Sequence, residues 1–318
     1  MKIVKILMLS QRICLVMKMH KSVLLEEAID ALNIKKDGIY VDCTLGYAGH
    51  SSKILERLEK EGFLFAFDQD EEAVKFSESK LNEIGGNFKI FDTNFKNIKN
   101  CIDVKVDGIL FDLGVSSPEL DEDYRGFSYH NDARLDMRMD RRQQLSAYEV
   151  VNNYSREDLI RILYEYADEK YAKSIVDKII KSRPITTTVE LSEIIKSSVP
   201  ESYRNKKHPA KRVFQAIRIE VNDEINVLKS ALEDAFEILK PGGRLVVITF
   251  HSLEDKVVKN YFNSLVKEEN QLKGLPYIPE DKLSKAKLIN KKIIVPSEEE
   301  LVVNNRSRSA KMRIIEKL

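Results

Sequence analysis

Between residues 20 and 118 the chain alternates two hydrophobic rhythms. Short runs of consecutive apolar residues, Ile39-Tyr40-Val41, Phe63-Leu64-Phe65-Ala66-Phe67, a third near 88–91 and Gly108-Ile109-Leu110-Phe111, predict buried strands. Between them, residues 22–33, 51–60 and 71–82 place apolar side chains every three or four positions, with Val23, Leu24, Ala28 and Ile29, then Ile54, Leu55 and Leu58, on single faces. Strand and helix in this order predict right-handed crossovers and a parallel sheet covered on both faces.

The rhythm breaks after Pro118. About 85 residues follow with no buried-strand signal and with helical spacing throughout. Ser146-x-x-Glu149, Ser155-x-x-Asp158 and Thr187-x-x-Glu190 read as helix-start capping pairs. Leu159, Ile162, Leu163 and Tyr166 form one stripe, and Ile175, Ile179 and Ile180 another; such stripes are core contacts. A single long amphipathic helix is expected from about Val213 to Leu239. A Pro-Gly-Gly turn at 241–243 then leads into the buried strand Arg244–Phe250. Residues 264–291 read as a surface loop, and Ile293-Ile294-Val295 with Met312–Ile315 as the last two strands, an edge hairpin. The expected organisation is an extension over 1–18, a sheet domain over 19–118 and 206–318, and an inserted helical subdomain over 119–205.

With 318 residues the chain can bury a large core, and 43% hydrophobic with 32% charged residues is ordinary for a globular protein. Lysine and arginine number 52 against 51 acidic residues, so net charge gives no argument for nucleic acid and only local clustering can. Cys14, Cys43 and Cys101 lack paired spacing, which favours a reducing, cytoplasmic setting over a disulfide framework or metal site. No stretch reaches the roughly 20 apolar residues of a spanning helix, so no membrane partner is expected.

The candidate chemistry lies at strand ends. Asp112-Leu-Gly-Val-Ser-Ser-Pro118 follows a buried strand, where open parallel sheets bind ligands. Gly46-x-x-Gly49 lets backbone approach a ligand, and Asp68, about twenty residues on, suits the two hydroxyls of a ribose. The third glycine of the dinucleotide fingerprint is missing, which favours S-adenosylmethionine over NAD. His50 reads as a helix-start or cofactor contact, and Cys43 as a small apolar residue. His251-Ser252 lacks nucleophile-elbow glycines, so His251 is expected to hydrogen-bond beside the substrate. Basic clusters at 134–142, 203–218 and 306–311 suggest a surface that follows phosphates.

Together, His20–Glu27, Asp42–Ser51, Asp112–Asp121, Arg125-Gly-Phe-Ser128, Leu135-Asp-Met-Arg-Met-Asp140, His208–Glu224, Phe250–Asp255 and Asn304–Arg313 resemble the bacterial ribosomal RNA small subunit methyltransferase H family. The resemblance implies a class I S-adenosylmethionine-dependent methyltransferase, an α/β Rossmann-like and mostly parallel sheet with an inserted all-helical subdomain. It implies transfer to N4 of cytosine 1402 of 16S rRNA in the small ribosomal subunit, and admits a homodimer. Cofactor contacts carry over onto Ala48, Gly49, His50, Asp68, Phe95 and Asp112, and onto Glu119, where the family has glutamine. Asp112 and His251 are then the candidate catalytic residues, and Arg134, Arg138, Arg306, Arg308 and Lys311 the candidate RNA contacts. A methylase of another substrate class, and a non-catalytic assembly factor with the same fold, are the alternatives.

Overall fold

Every side chain from Val106 to Phe111 is buried, as in a strand covered by helices on both faces. This strand, β4 (Val106–Asp112), is central in the computed structural model, which describes residues 22–114, 123–205, 208–266 and 283–318. The expectations on 1–18, Ser116, Ser117, Glu119, Lys206 and Lys207 fall outside the described residues. With β1 (Ile39–Asp42), β2 (Phe63–Asp68), β3 (Phe88–Asp92), β5 (Leu239–Thr249), β6 (Ala286–Leu288) and β7 (Lys311–Lys317), β4 forms one sheet of order β3-β2-β1-β4-β5-β7-β6. Pairings among β1 to β5 are parallel, and β7 runs antiparallel to β5 and β6. The order runs outward in opposite directions from β1 and β4, so their carboxyl ends, Asp42 and Asp112, flank the switch point where such sheets bind ligands. β1 and β4 pack tightly because Gly108 has no side chain: a Cβ there would meet the Tyr40 ring at 2.8 Å.

The described chain divides into two units. The first holds residues 22–68, 73–114, 232–266 and 283–318, and the second 69–72, 123–205 and 208–231. The second is helical: among its described residues, β-pairing is confined to an isolated bridge between Arg134 and Thr187. Helices Arg156–Ala167, Ala172–Ser182, Thr188–Ser197 and Ala210–Asn222 bury one core that includes Leu159, Ile162, Ile175, Ile179, Leu191, Ile195, Val213 and Ile217. The helix Ala210–Asn222 lies beyond residue 205, the expected end of the helical segment, yet Val213, Phe214 and Ile217 belong to this core.

Two expectations are corrected. The long helix over 213–239 is two helices, Ala210–Asn222 and Glu224–Ile238, parted where Asp223 takes a left-handed φ of 49°. The edge partner of β7 is β6 (Ala286–Leu288), inside the segment read as a loop, whereas Ile294 makes only an isolated bridge to Met312. Ala286 is buried while Lys287 and Leu288 are exposed, so three residues gave no hydrophobic run to detect.

Candidate active site

Four strand ends of the first unit, those of β1, β2, β4 and β5, supply the site. At the end of β1, fully buried Asp42 accepts from Thr44 N at 3.1 Å through Oδ1 and from Ser51 Oγ at 2.7 Å through Oδ2. Asp42 thereby holds both flanks of the glycine loop. Thr44 Oγ1 in turn accepts from Asp112 N at 2.7 Å, coupling the loop to the end of β4. Gly46 has a φ of +49°, and the backbone N–H of Gly46 donates to Asp68 Oδ2 at 2.8 Å. The loop carbonyls are held as well: Ser77 Oγ donates to Gly46 O at 2.7 Å, and Lys80 Nζ to Tyr47 O at 3.1 Å. Burial lowers the pKa of Lys80 from its ordinary value. Ala48 takes a left-handed φ of 57° before helix Gly49–Arg57, a conformation that costs a residue with a Cβ about 1–2 kcal/mol.

The sites read from sequence therefore converge. Gly46 and Asp68 meet directly, Ala48 and Gly49 start the helix that carries His50, and His50 Nδ1 lies 3.6 Å from Asp112 Oδ2. Phe95 stands edge-on to Phe111, with ring centroids 5.4 Å apart, which ties it to the β4 strand. Asp112 Oδ1 is enclosed and receives no hydrogen bond among the described residues, although the side chain keeps 19% of its exposure. Burial pushes the Asp112 carboxyl up to about 6, against the opposing pull of His50 and with Asp42 adding to the rise. Neighbouring Cys43 packs as an apolar residue, because burial holds its thiol well above the usual range.

At the end of β5, Glu254 Oε2 accepts from Phe250 N at 2.8 Å and His251 N at 3.2 Å, capping the turn into helix Ser252–Val266. His251 Nε2 lies 2.8 Å from Glu254 Oε1. Gly114 meets this turn closely, since a Cβ there would come within 2.9 Å of the Phe250 ring. Thr44, Asp42, Lys80 and Glu254 were not singled out in the sequence: Thr44 and Lys80 find partners 68 and 33 residues away, and no short motif marks Asp42 or Glu254 as the acceptor for its near neighbours.

The basic candidates divide. Arg134 is exposed, and so are Arg306 and Arg308, which flank buried Ser307 on a 3₁₀ turn (Asn305–Ser309). Arg138 is held internally: its guanidinium grips both oxygens of Asp136 at 2.7 and 2.8 Å and donates to Arg141 O and Gln143 O. Lys311 Nζ sits 3.4 Å from Asp255, whose carboxylate also takes a two-pronged contact from Arg313. Both side chains thus have a local carboxylate partner, Asp136 for Arg138 and Asp255 for Lys311.

A parallel sheet of order 3-2-1-4-5-7-6 with an antiparallel seventh strand, and a loop latched to acidic ends of β1, β2 and β4, defines a class I methyltransferase. The MraW methylase family model matches residues 17–318. The chain belongs to that family, whose cofactor is S-adenosylmethionine. Among solved structures it is similar to a protein from Clostridium thermocellum assigned as an rRNA-methylase (13% identity, 94% of this chain and 100% of that one, TM-score 0.46). It is also similar to an rRNA methylase from Streptococcus thermophilus (13%, 92% and 95%, 0.42), and to a protein from Streptococcus mutans assigned as a methyltransferase and solved with SAH (14%, 94% and 100%, 0.43). No helix among the described residues is long and apolar enough to cross a membrane.

Proposed function

We propose that this methylase acts on ribosomal RNA in the cytoplasm, transferring a methyl group to N4 of cytosine 1402 in the 16S rRNA of the small subunit. The observation that carries the reading is the orphaned Oδ1 of Asp112, an acceptor enclosed at the switch point with no donor among the described residues. A buried acceptor left unsatisfied is costly and calls for a partner. An amino group, whether of the cofactor or of a cytosine, is the donor this oxygen suits.

S-adenosylmethionine, when bound, supplies an electrophilic methyl group on a sulfonium sulfur. The loop Gly46–His50 with Asp68, Phe95 and Asp112 would hold it, Asp68 taking ribose hydroxyls and Phe95 an apolar face. The N4 lone pair of cytosine is delocalised into the ring and weakly nucleophilic. An Asp112 carboxylate that accepts an N4 hydrogen raises that reactivity, and it takes the proton the nitrogen sheds. His251, whose Nδ1 accepts from the backbone N–H of Glu254 at 3.4 Å, would orient the base. Alignment of the reacting groups supplies much of the remaining acceleration. The cytosine must leave its stack to reach an enclosed carboxylate. The helical insertion is read as a substrate-recognition element, with Arg134 from that unit and Arg306 and Arg308 from the sheet unit touching phosphates.

The test is transfer of radiolabelled methyl from S-adenosylmethionine to purified small subunits, with RNA and protein then separated. Label in the RNA, lost on Asp112→Asn, is the expected result. Label confined to protein would overturn the reading.

A further inference from the structure

His50 is almost fully buried, at 4% exposure, and its two ring nitrogens face different partners. Nε2 lies 3.2 Å from the carbonyl oxygen of Val23. A carbonyl only accepts, so Nε2 carries the hydrogen and donates it. Nδ1, 3.6 Å from Asp112 Oδ2, is then a bare lone pair in the neutral ring. Two acceptors would face one another across this gap. One proton placed between them removes the conflict, as imidazolium beside carboxylate or as imidazole beside carboxylic acid.

Among the described residues, the other groups around Asp112 do not supply that proton. Asp42 and Glu254 raise the cost of ionising Asp112, while the backbone N–H of Gly114 and the charge of His50 lower it. Asp42 is occupied by Thr44 N and Ser51 Oγ, and Glu254 Oε2 by two backbone N–H groups. Among the described residues, His50 is left as the titratable neighbour that favours the charged carboxylate.

We propose that His50 is a positioning residue that shares one proton with Asp112 and keeps this carboxylate ionised when it must accept a proton from the substrate. The inference rests on Asp112 being that acceptor. During transfer the N–H bond of the substrate amine breaks, its electron pair stays on nitrogen, and the proton passes to Asp112. The imidazolium beside it holds its own proton throughout and returns to the same state after release.

The experiment follows the Asp112 carboxyl carbon by NMR across pH in the unliganded protein, assigned with Asp112→Asn, and repeats it in His50→Gln. Glutamine keeps an N–H for Val23 and loses the charge. The Asp112 titration midpoint is expected to rise by about one pH unit. The acid limb of single-turnover methyl transfer to small subunits, measured with S-adenosylmethionine saturating for each variant and scaled to that variant's own rate at pH 8.5, should move up with it. An unmoved midpoint, with transfer reduced equally at every pH, would overturn the proposal and leave His50 a packing residue. Should His50→Gln melt below the assay temperature, His50→Asn gives the same carboxyl titration. The two readings fail separately: turnover retained by Asp112→Asn removes Asp112 as acceptor, whereas an inactive Asp112→Asn with an unmoved midpoint removes only the role of His50.

Discussion

Asp112 illustrates how a single carboxylate trades stability for reactivity. Its ordinary value near 3.8 rises to about 6 in the folded chain, chiefly through burial. Below pH 3.8 the acid is protonated in both states and this group costs the fold nothing; as pH climbs through 6 the folded chain must ionise it against burial, and stability falls. Asp112→Asn should therefore be more stable than wild type at pH 7.5 by about 1–3 kcal/mol, with the gain shrinking towards pH 4.5, as measured by denaturant melts. The same residue sets activity in the opposite sense. For free enzyme, kcat/KM should rise with pH through an apparent value near 6, and Asp112→Asn should lose about 10²–10⁴-fold in kcat. Gly46 tests the loop: a Cβ there meets nothing nearer than Thr44 O at 4.0 Å, so Gly46→Ala is strained only by its φ of +49°. It should cost about 1–2 kcal/mol in a thermal melt and weaken cofactor binding by calorimetry. At this scale Asp112, Asp68 and the two loop glycines were legible because each ends a strand or turns a loop. Thr44 was not, since its role is fixed by which strands become neighbours, and Asp42 was not, since no short motif marks a strand-end carboxylate as the acceptor for Thr44 N and Ser51 Oγ.

Among the elements, local signals survived best where a few consecutive residues carry them. Ser146, Ser155 and Thr187 each cap the helix that follows, and Ser146 and Thr187 form full capping boxes with Glu149 and Glu190. Thr187→Ala should lower stability by about 1 kcal/mol, read as a fall in melting temperature, because Glu190 N loses its acceptor. The break at Asp223 was hidden because apolar spacing continues across it, and only the backbone reversal there ends the first helix. The β6 strand was hidden for the opposite reason, having one buried side chain. In the basic motif around Arg138 the guanidinium is engaged by Asp136 and by two backbone carbonyls. Arg138→Ala should release the loop it clamps and destabilise the helical unit, leaving the salt dependence of RNA binding unchanged. Arg134→Ala with Arg308→Ala should leave melting unaltered and reduce the slope of log affinity against log salt by about one for each phosphate no longer neutralised.

For the whole molecule, the balance of 52 basic and 51 acidic residues means that attraction to RNA has to come from local placement of charge. The strand order and family membership establish a methylase, and the enclosed acceptor of Asp112 is compatible with the proposed amino-group target. The most direct measurement uses small subunits from cells that lack this protein. They are incubated with the purified enzyme and S-adenosylmethionine, and the 16S rRNA is digested and mapped by tandem mass spectrometry. The account predicts one added methyl group, on N4 of cytosine 1402, absent when Asp112→Asn replaces the wild-type enzyme. Methylation at another nucleotide, at carbon or oxygen of that cytosine, or undiminished with Asp112→Asn would contradict it.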